Sequence, residues 1–120
     1  MNNTWLAFAA EAVSTSVALA HRLGLETQTV LDALGGGPVV SAWQAAKLQR
    51  IANGEFSAQF ALSLALKDVH LALQAAGDDR FAALACLADE WQHVVDQGLG
   101  DQDLTIVTRA LQQQAETPSP

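Results

Sequence analysis

Residues 60–68 are FALSLALKD, an apolar run that ends in Lys67 and Asp68. These two are the only formally charged side chains between Glu55 and Asp78. A helix this apolar is expected to be mostly buried, and a charge near a core persists only where it is paired, hydrated or used. The Lys67-Asp68 pair is therefore expected either at the rim of a packed surface or in a cleft.

The composition of the whole chain favours a single all-α domain. A chain of 120 residues fits one domain. Half of its residues are hydrophobic but only 6% are aromatic, and the apolar residues are mostly Ala, Leu and Val. This bias suits closely packed helices better than a sheet, which favours β-branched and aromatic residues.

Charge and cysteine content exclude several classes of protein. A net charge of −7 with no basic stripe argues against a nucleic-acid partner. The single cysteine, Cys86, cannot form an internal disulfide, and its apolar surroundings predict a buried, inert thiol. Three scattered histidines give no metal-ligand spacing, so no metal is expected. One stretch near the start is only weakly polar, but Glu11 interrupts it, so it fits neither a membrane span nor a signal peptide. We therefore expect no membrane contact and a cytoplasmic protein.

Hydrophobic periodicity and stop signals predict about six helices. Thr27, Ser41 and Asp101 are the predicted N-caps, and Gly24 and Gly77 are the predicted stops. The predicted helices cover residues 3–23, 27–34, 41–51, 62–76, 80–97 and 102–113. Leu34 and Leu71 are among the residues expected to be buried in them. Residues 1–114 then form one helical domain, and the polar, proline-ending tail 115–120 is expected to be disordered.

Two polar features allow more than one interpretation. Gly35, Gly36 and Gly37 suggest a phosphate loop, but no strand precedes them and no Lys-Ser/Thr pair follows, which favours a flexible helix connection. Asn2 and Asn3 open an otherwise apolar helix. They either cap that helix or direct their amides toward a polar ligand.

Six of these features follow one another in an order typical of one family. They are Asn2-Asn3, Gly24, Gly35-Gly36 with Ser41-Ala42-Trp43, Phe56 with Phe60, Lys67-Asp68, and Gly98-Leu99-Gly100-Asp101-Gln102-Asp103. Together they resemble the helical C-terminal domain of the β-hydroxyacid dehydrogenases, which include 3-hydroxyisobutyrate dehydrogenase and tartronate semialdehyde reductase. The resemblance covers about residues 1–112 and implies a fold like the C-terminal domain of 6-phosphogluconate dehydrogenase.

The resemblance implies a role in an oxidoreductase. In that family an N-terminal Rossmann domain binds NAD or NADP, and the helical domain closes the active-site cleft and provides most of the oligomer interface. The substrate is a small hydroxyacid or its semialdehyde. The resemblance assigns a supporting catalytic role to Asn3, which matches the asparagine four residues after the catalytic lysine. It assigns cofactor and cleft contacts to Phe60, Lys67 and Asp68.

The chain also departs from the family pattern. The catalytic lysine would fall before Met1, and no Gly-x-Gly-x-x-Gly motif of a dinucleotide-binding domain is present. We therefore expect no cofactor bound to this chain alone, and whether it is an enzyme by itself stays open. The alternative is a non-catalytic helical module for dimerisation. Both interpretations predict a homodimer, because without its Rossmann partner the Trp5 and Phe8 end of the first helix should be incompletely buried, and exposed apolar patches drive association.

Overall fold

The computed structural model describes residues 2–77 and 81–116. In these ranges six α-helices follow one another, and the only strand-like feature is an isolated bridge between Ala61 and Asp103. The helices are α1 (Asn2–Arg22), α2 (Thr27–Leu34), α3 (Ala42–Ala52), α4 (Leu62–Ala76), α5 (Ala82–Val94) and α6 (Val107–Glu116). A π-helical turn (Val95–Leu99) extends α5, and a 3-10 turn (Leu104–Ile106) precedes α6. The predicted all-α fold is confirmed.

The predicted bounds agree best for α2 and α4, which match residue for residue. The predicted start of the fifth helix at Arg80 lies outside the described residues. The predicted tail begins at residue 115, but the backbone of α6 is helical as far as Glu116. The rest of that tail, residues 117–120, is also outside the described part of the chain.

Helix α1 forms the centre of the domain. It packs against α6, α4, α2 and α3, and its buried residues recur every three or four positions. Inside the core, the Thr108 hydroxyl of α6 donates to the Ser14 hydroxyl of α1 at 3.0 Å. In the described part of the chain, the large hydrophobic side chains that are fully buried are Val17, Leu62, Val69, Trp91, Val94, Leu104 and Val107.

Of the five predicted caps and stops, three agree with the structure and two differ. Gly24 follows α1 in the left-handed conformation at φ 85°, as predicted. Ser41 forms a capping box with Gln44, and Gly77 ends α4 in the left-handed conformation at φ 68°, as predicted. The prediction for Thr27 is wrong, because it is the first residue of α2 and no side chain caps that helix. Asp101 is not a cap either; Asp103 caps the 3-10 turn instead.

Three apolar residues expected inside lie outside. Leu71 of α4 is 52% exposed, because it lies between two open grooves, one beside the start of α1 and one beside α5. Leu34 is exposed at the end of α2. The prediction of a buried Cys86 is wrong as well. The apolar run 81–88 is a helix with one inner face, on which Leu84, Leu87 and Ala88 lie, and Cys86 is on the outer side.

A buried carboxylate holds two distant segments together. Asp103 is fully buried, and Lys47 Nζ donates to its two oxygens at 3.1 and 3.0 Å. The backbone N–H groups of Gln59 and Phe60 donate to Oδ1 at 3.0 and 3.1 Å, and the Thr105 hydroxyl donates to Oδ2 at 2.7 Å. Burial raises the pKa of Asp103, but these hydrogen bonds together outweigh burial and leave the pKa below its ordinary value. We call this group of five residues the Asp103 centre.

Further polar contacts surround the Asp103 centre. Lys47 is only 3% exposed; its Nζ also donates to Gln59 Oε1 at 3.0 Å and lies 5.4 Å from the centroid of the Trp43 ring. Arg50 Nη1 lies 3.7 Å from Asp103 Oδ1. Each charge at the centre therefore has an opposite charge beside it.

Backbone pairing beside the Asp103 centre fixes the start of α4. Asp103 N–H donates to the carbonyl of Phe56 at 2.9 Å, and Leu104 N–H donates to the carbonyl of Phe60 at 2.9 Å. Ser63 N–H donates to the carbonyl of Gly100 at 3.0 Å. A Cβ on Gly100 would meet the Cβ of Ser63 at 3.1 Å, so this close approach favours glycine. The first turn of α4 is thus held to the segment that leads into α6.

We predict that Asp103→Asn destabilises the fold by about 3–5 kcal/mol, because Lys47 then stays buried without an opposite full charge. Chemical denaturation of the purified chain measures this free energy. The matched control is Asp101→Asn, an exposed aspartate two residues away, which should change stability by less than about 0.5 kcal/mol. Equal stability of the two variants would contradict the role assigned to the Asp103 centre.

Candidate functional site

Two of the four predicted site residues meet at the surface. Asn3 lies in the first turn of α1 and Asp68 in the middle of α4, 65 residues later in the sequence, and Asn3 Nδ2 donates to Asp68 Oδ2. Beside them is an open groove of about 540 Å³. We call it the Asn3–Asp68 groove; Asn3, Thr4, Asp68, Leu71, Ala72, Ala75 and Ala76 line it.

Packing of α4 places Asp68 at this position. Leu62, Leu66 and Val69 are buried on the inner face of α4. Asp68 adjoins Val69 and is half-buried at the edge of that face, toward the start of α1. The Asn3–Asp68 contact therefore depends on how α4 packs against α1.

Lys67 lies in a different groove from Asp68. It is exposed and, among the described residues, it forms no ion pair with Asp68. Lys67 lines an opening of about 320 Å³ between α4 and α5, together with Ser63, His70, Leu71, Gln74 and Gln92 among others. The sequence predicts that Lys67 and Asp68 lie together, at a rim or in a cleft. In the structure they lie on opposite sides of Leu71.

Phe60 lies two residues before α4, and hydrogen bonds of its backbone hold it in place. Its N–H donates to Asp103 and its carbonyl accepts from Leu104, while its half-buried ring packs against the core. At 1.5 Å per residue, Lys67 lies about 8 Å further along the helix axis than Leu62. Phe60 does not line either groove described above.

The Asn3–Asp68 pair has hydrogen-bonding capacity left for a ligand. An amide side chain carries two N–H donors and an acceptor oxygen, and a carboxylate accepts at both oxygens. The contact between them uses one N–H and engages one carboxylate oxygen. The remaining groups suit a hydroxyl, carbonyl or carboxamide.

Some sites are absent within the part of the chain that the structure describes. Residues 2–77 and 81–116 contain no group of three or more His, Cys, Asp or Glu side chains that could hold a metal ion. In the same ranges, no helix is both long and apolar enough to cross a membrane.

A second carboxyl pair lies away from the groove, and the sequence gives no sign of it. Burial, a hydrogen bond with Glu90 and the charge of Glu90 together raise the pKa of Glu11 to about 8, and burial is the largest of these causes. The Thr15 hydroxyl donates to Glu11 Oε1 at 3.4 Å and opposes the shift. Trp91 Nε1 is buried beside this pair, and its N–H also opposes the shift. Glu11 is on α1 and Glu90 is on α5, and no pattern in the sequence relates these two helices. The sequence alone therefore does not reveal the contact.

Comparison with solved structures assigns the fold to the helical domain of a dehydrogenase. The crystal structure of 3-hydroxyisobutyrate dehydrogenase from Salmonella typhimurium matches with a TM-score of 0.82 at 19% sequence identity. The match covers 91% of this chain and 39% of that protein. It shows a shared fold, and the chain spans about two fifths of the length of the protein it matches.

A family model gives the more specific assignment. The model, described as NAD-binding of NADP-dependent 3-hydroxyisobutyrate dehydrogenase, matches residues 1–111. The chain therefore belongs to this family of dehydrogenase domains. Comparison with curated proteins gives no match.

The Glu11 pKa predicts a stability that falls as pH rises. In the unfolded chain Glu11 has the ordinary pKa of 4.5 and loses its proton near that pH. In the folded chain its pKa is about 8, so it keeps the proton up to about that pH. Unfolding therefore releases a proton between these two values, so stability decreases through this range and levels off above it. Thermal melting of the wild-type chain between pH 6 and pH 9 should show a falling midpoint, whereas Glu11→Gln should melt at a nearly constant temperature. Glu26→Gln, at an exposed position, is the control and should follow the wild type. A Glu11→Gln variant that falls as steeply as the wild type would contradict the shift.

Proposed function

We propose that this chain acts as the C-terminal helical domain of an NAD(P)-dependent β-hydroxyacid dehydrogenase of the 3-hydroxyisobutyrate dehydrogenase type. In this role it closes the active-site cleft over cofactor and substrate, mediates oligomerisation, and is inactive without a dinucleotide-binding domain. The substrate is a small hydroxyacid or its semialdehyde, and the setting is the cytoplasm.

The observation that carries this proposal is the contact between Asn3 and Asp68. The family resemblance assigns both residues to the site, although they are 65 residues apart in the sequence. Most side-chain hydrogen bonds in proteins go to the backbone or to water rather than to another side chain. This one is long-range, lies at the surface and borders an open groove. Membership in the dehydrogenase family supports the same assignment.

The residues at the Asn3–Asp68 groove fit one part of an NAD(P) molecule. An amide and a carboxylate hydrogen-bond the carboxamide and hydroxyl groups of the nicotinamide riboside or the hydroxyl of a substrate. A carboxylate repels phosphate, so the pyrophosphate does not fit beside Asp68. The exposed ammonium of Lys67, on the other side of Leu71, suits a phosphate or a substrate carboxylate. When bound, NAD(P) supplies the hydride, and these side chains orient the reacting groups.

A second function is supported by a different observation. Trp5 and Phe8 are exposed on α1, as the sequence predicts, and exposed apolar side chains of this size favour association. A non-catalytic dimerisation module would use this surface and leave the Asn3–Asp68 groove without a role. The two functions therefore differ in what a change at Asp68 does.

We predict that Asp68→Ala lowers kcat/KM about 100-fold in a protein that joins this chain to a family dinucleotide-binding domain, because Asn3 loses its position. Steady-state reduction of a short semialdehyde with NADPH or NADH measures the effect. Asp89→Ala, at an exposed aspartate on α5, is the matched control and should retain full activity. Both variants should melt at the wild-type temperature. Full activity of Asp68→Ala would favour the dimerisation module instead.

We also predict that the isolated chain of 120 residues does not oxidise NADPH or NADH with any short semialdehyde. It lacks a dinucleotide-binding motif, and one side of a cleft does not orient a cofactor for hydride transfer. Absorbance at the reduced-nicotinamide band follows the reaction. Oxidation that increases with both chain and semialdehyde concentration would contradict inactivity alone.

A further inference from the structure

Four polar side chains of α4 lie along one face of the helix. Ser63, Lys67, His70 and Gln74 follow one another at spacings of three or four residues, so each lies about one turn from the next. All four line the opening of about 320 Å³ between α4 and α5, which we call the α4–α5 groove. The rest of α4 is apolar apart from Asp68, which lines the Asn3–Asp68 groove. A polar line on an otherwise apolar helix indicates a face that contacts a polar partner.

His70 is held in a defined orientation by α5. Its Nε2 lies 3.3 Å from Gln92 Oε1, and Gln92 Nε2 donates to Asp96 Oδ1 at 2.9 Å. Because an ionised carboxylate only accepts, the amide nitrogen of Gln92 faces Asp96 and its amide oxygen faces His70. Nε2 of His70 is therefore the donor in this contact, and Nδ1 is left for a second partner. The ring can carry a positive charge while this contact is kept, because both ring nitrogens of an imidazolium donate.

The groove is a positively charged place on an acidic chain. The net charge of −7 repels anions from the chain as a whole. In the part of the chain that the structure describes, however, Lys67 forms no ion pair, and no aspartate or glutamate lines the α4–α5 groove. Lys67 and His70 are three residues apart on the same face, so an anion between them can contact both.

No further charged side chain of the described residues lines the groove. From α5 and the π-helical turn that extends it, Gln92 and Val95 line the groove, and Asp96 lies one hydrogen bond behind Gln92. Helix α1 and the 3-10 turn also pack against α4, but neither contributes a lining residue. The π-helical geometry beside the groove is one that occurs frequently at functional sites. The positive charge of the groove therefore depends on Lys67 and His70.

We propose that the α4–α5 groove binds a phosphate group between Lys67 and His70, with Gln92 as the positioning residue of the imidazole. An ammonium and an imidazolium together carry two charges, which match a doubly charged phosphate better than a singly charged carboxylate. The Ser63 hydroxyl and the Gln74 amide supply neutral hydrogen bonds on the same face. This inference deepens the proposed function and rests on it for the molecule that carries the phosphate.

Sulfate is the probe for this site, because it is a tetrahedral dianion whose charge is the same at pH 6 and at pH 8. Titration calorimetry of the wild-type chain in low-salt buffer should give a roughly millimolar dissociation constant at pH 6. Binding should be at least about fivefold weaker at pH 8, because imidazole loses its charge over this range. His70→Gln should bind sulfate weakly at both pH values. His93→Gln, which removes an exposed imidazole of α5, is the matched control and should behave as the wild type.

Two further measurements test the positioning role and the choice of ligand. Gln92→Leu should weaken sulfate binding about threefold at pH 6, because His70 keeps its charge but loses its orientation. Acetate should bind the wild type at least about tenfold more weakly than sulfate, because it has half the charge. Sulfate binding that does not change with pH, or that His70→Gln leaves as tight, would overturn the role of His70. Acetate binding as tight as that of sulfate would overturn the choice of phosphate.

The source of the phosphate is identified in the protein that joins this chain to a family dinucleotide-binding domain. His70→Gln should raise the KM of the reduced cofactor about fivefold, and by more than it lowers kcat. A rise for NADPH alone assigns the groove to the 2′-phosphate, and an equal rise for NADPH and NADH assigns it to the pyrophosphate. Unchanged KM values for both would overturn the cofactor as the source. An inactive joined protein would overturn the proposed function and leave the sulfate result standing.

Discussion

The rest of the structure depends on the buried carboxylate of Asp103. Two backbone N–H groups, a hydroxyl and a lysine ammonium donate to it, and they come from three separate parts of the chain. A buried charge is expensive without partners, and this one has enough of them to keep its pKa low despite burial. The carboxylate also sets the geometry of the chain. It holds the end of the irregular segment before α4 next to the start of the segment before α6.

This constraint reaches the candidate site through α4. The Asp103 centre holds Gln59 and Phe60, and the backbone bonds from Leu62 and Ser63 hold the first turn of the helix. A helix is stiff over this length, so a fixed first turn also fixes the residues two turns later. Asp68 then meets Asn3 on one side, and Lys67 opens onto the groove near α5 on the other. Helix α4 thus places the carboxylate of Asp68 in one groove and the ammonium of Lys67 in the other, and the two grooves adjoin at Leu71.

The sequence predicts the local features well and the long-range polar contacts poorly. Gly77 and the Ser41 capping box are local signals, and the helices beside them begin and end close to the predicted residues. Lys47 looks like an ordinary surface lysine in an amphipathic helix, and nothing near it indicates a carboxylate 56 residues away. Asp103 belongs to a family motif, but its burial follows only from the long-range contacts that Lys47, Gln59 and Phe60 make with it. The prediction for Cys86 fails because an apolar run does not show which side of a helix is covered.

The candidate site is predictable only in part for the same reason. The resemblance singles out Asn3 and Asp68, but their contact requires the packing of α4 on α1. It also groups Lys67 with Asp68, although neighbouring residues on a helix point about 100° apart and here line different grooves.

Native-state hydrogen exchange of the Gln59 and Phe60 amides tests the central claim most directly. Gln59 is exposed and lies in an irregular segment, so its amide would ordinarily exchange quickly. If the Asp103 centre anchors the fold, both amides open only with global unfolding and exchange as slowly as the amide of Val69 in the centre of α4. Exchange at the rate of the exposed turn at Asn53 and Gly54 would contradict the account.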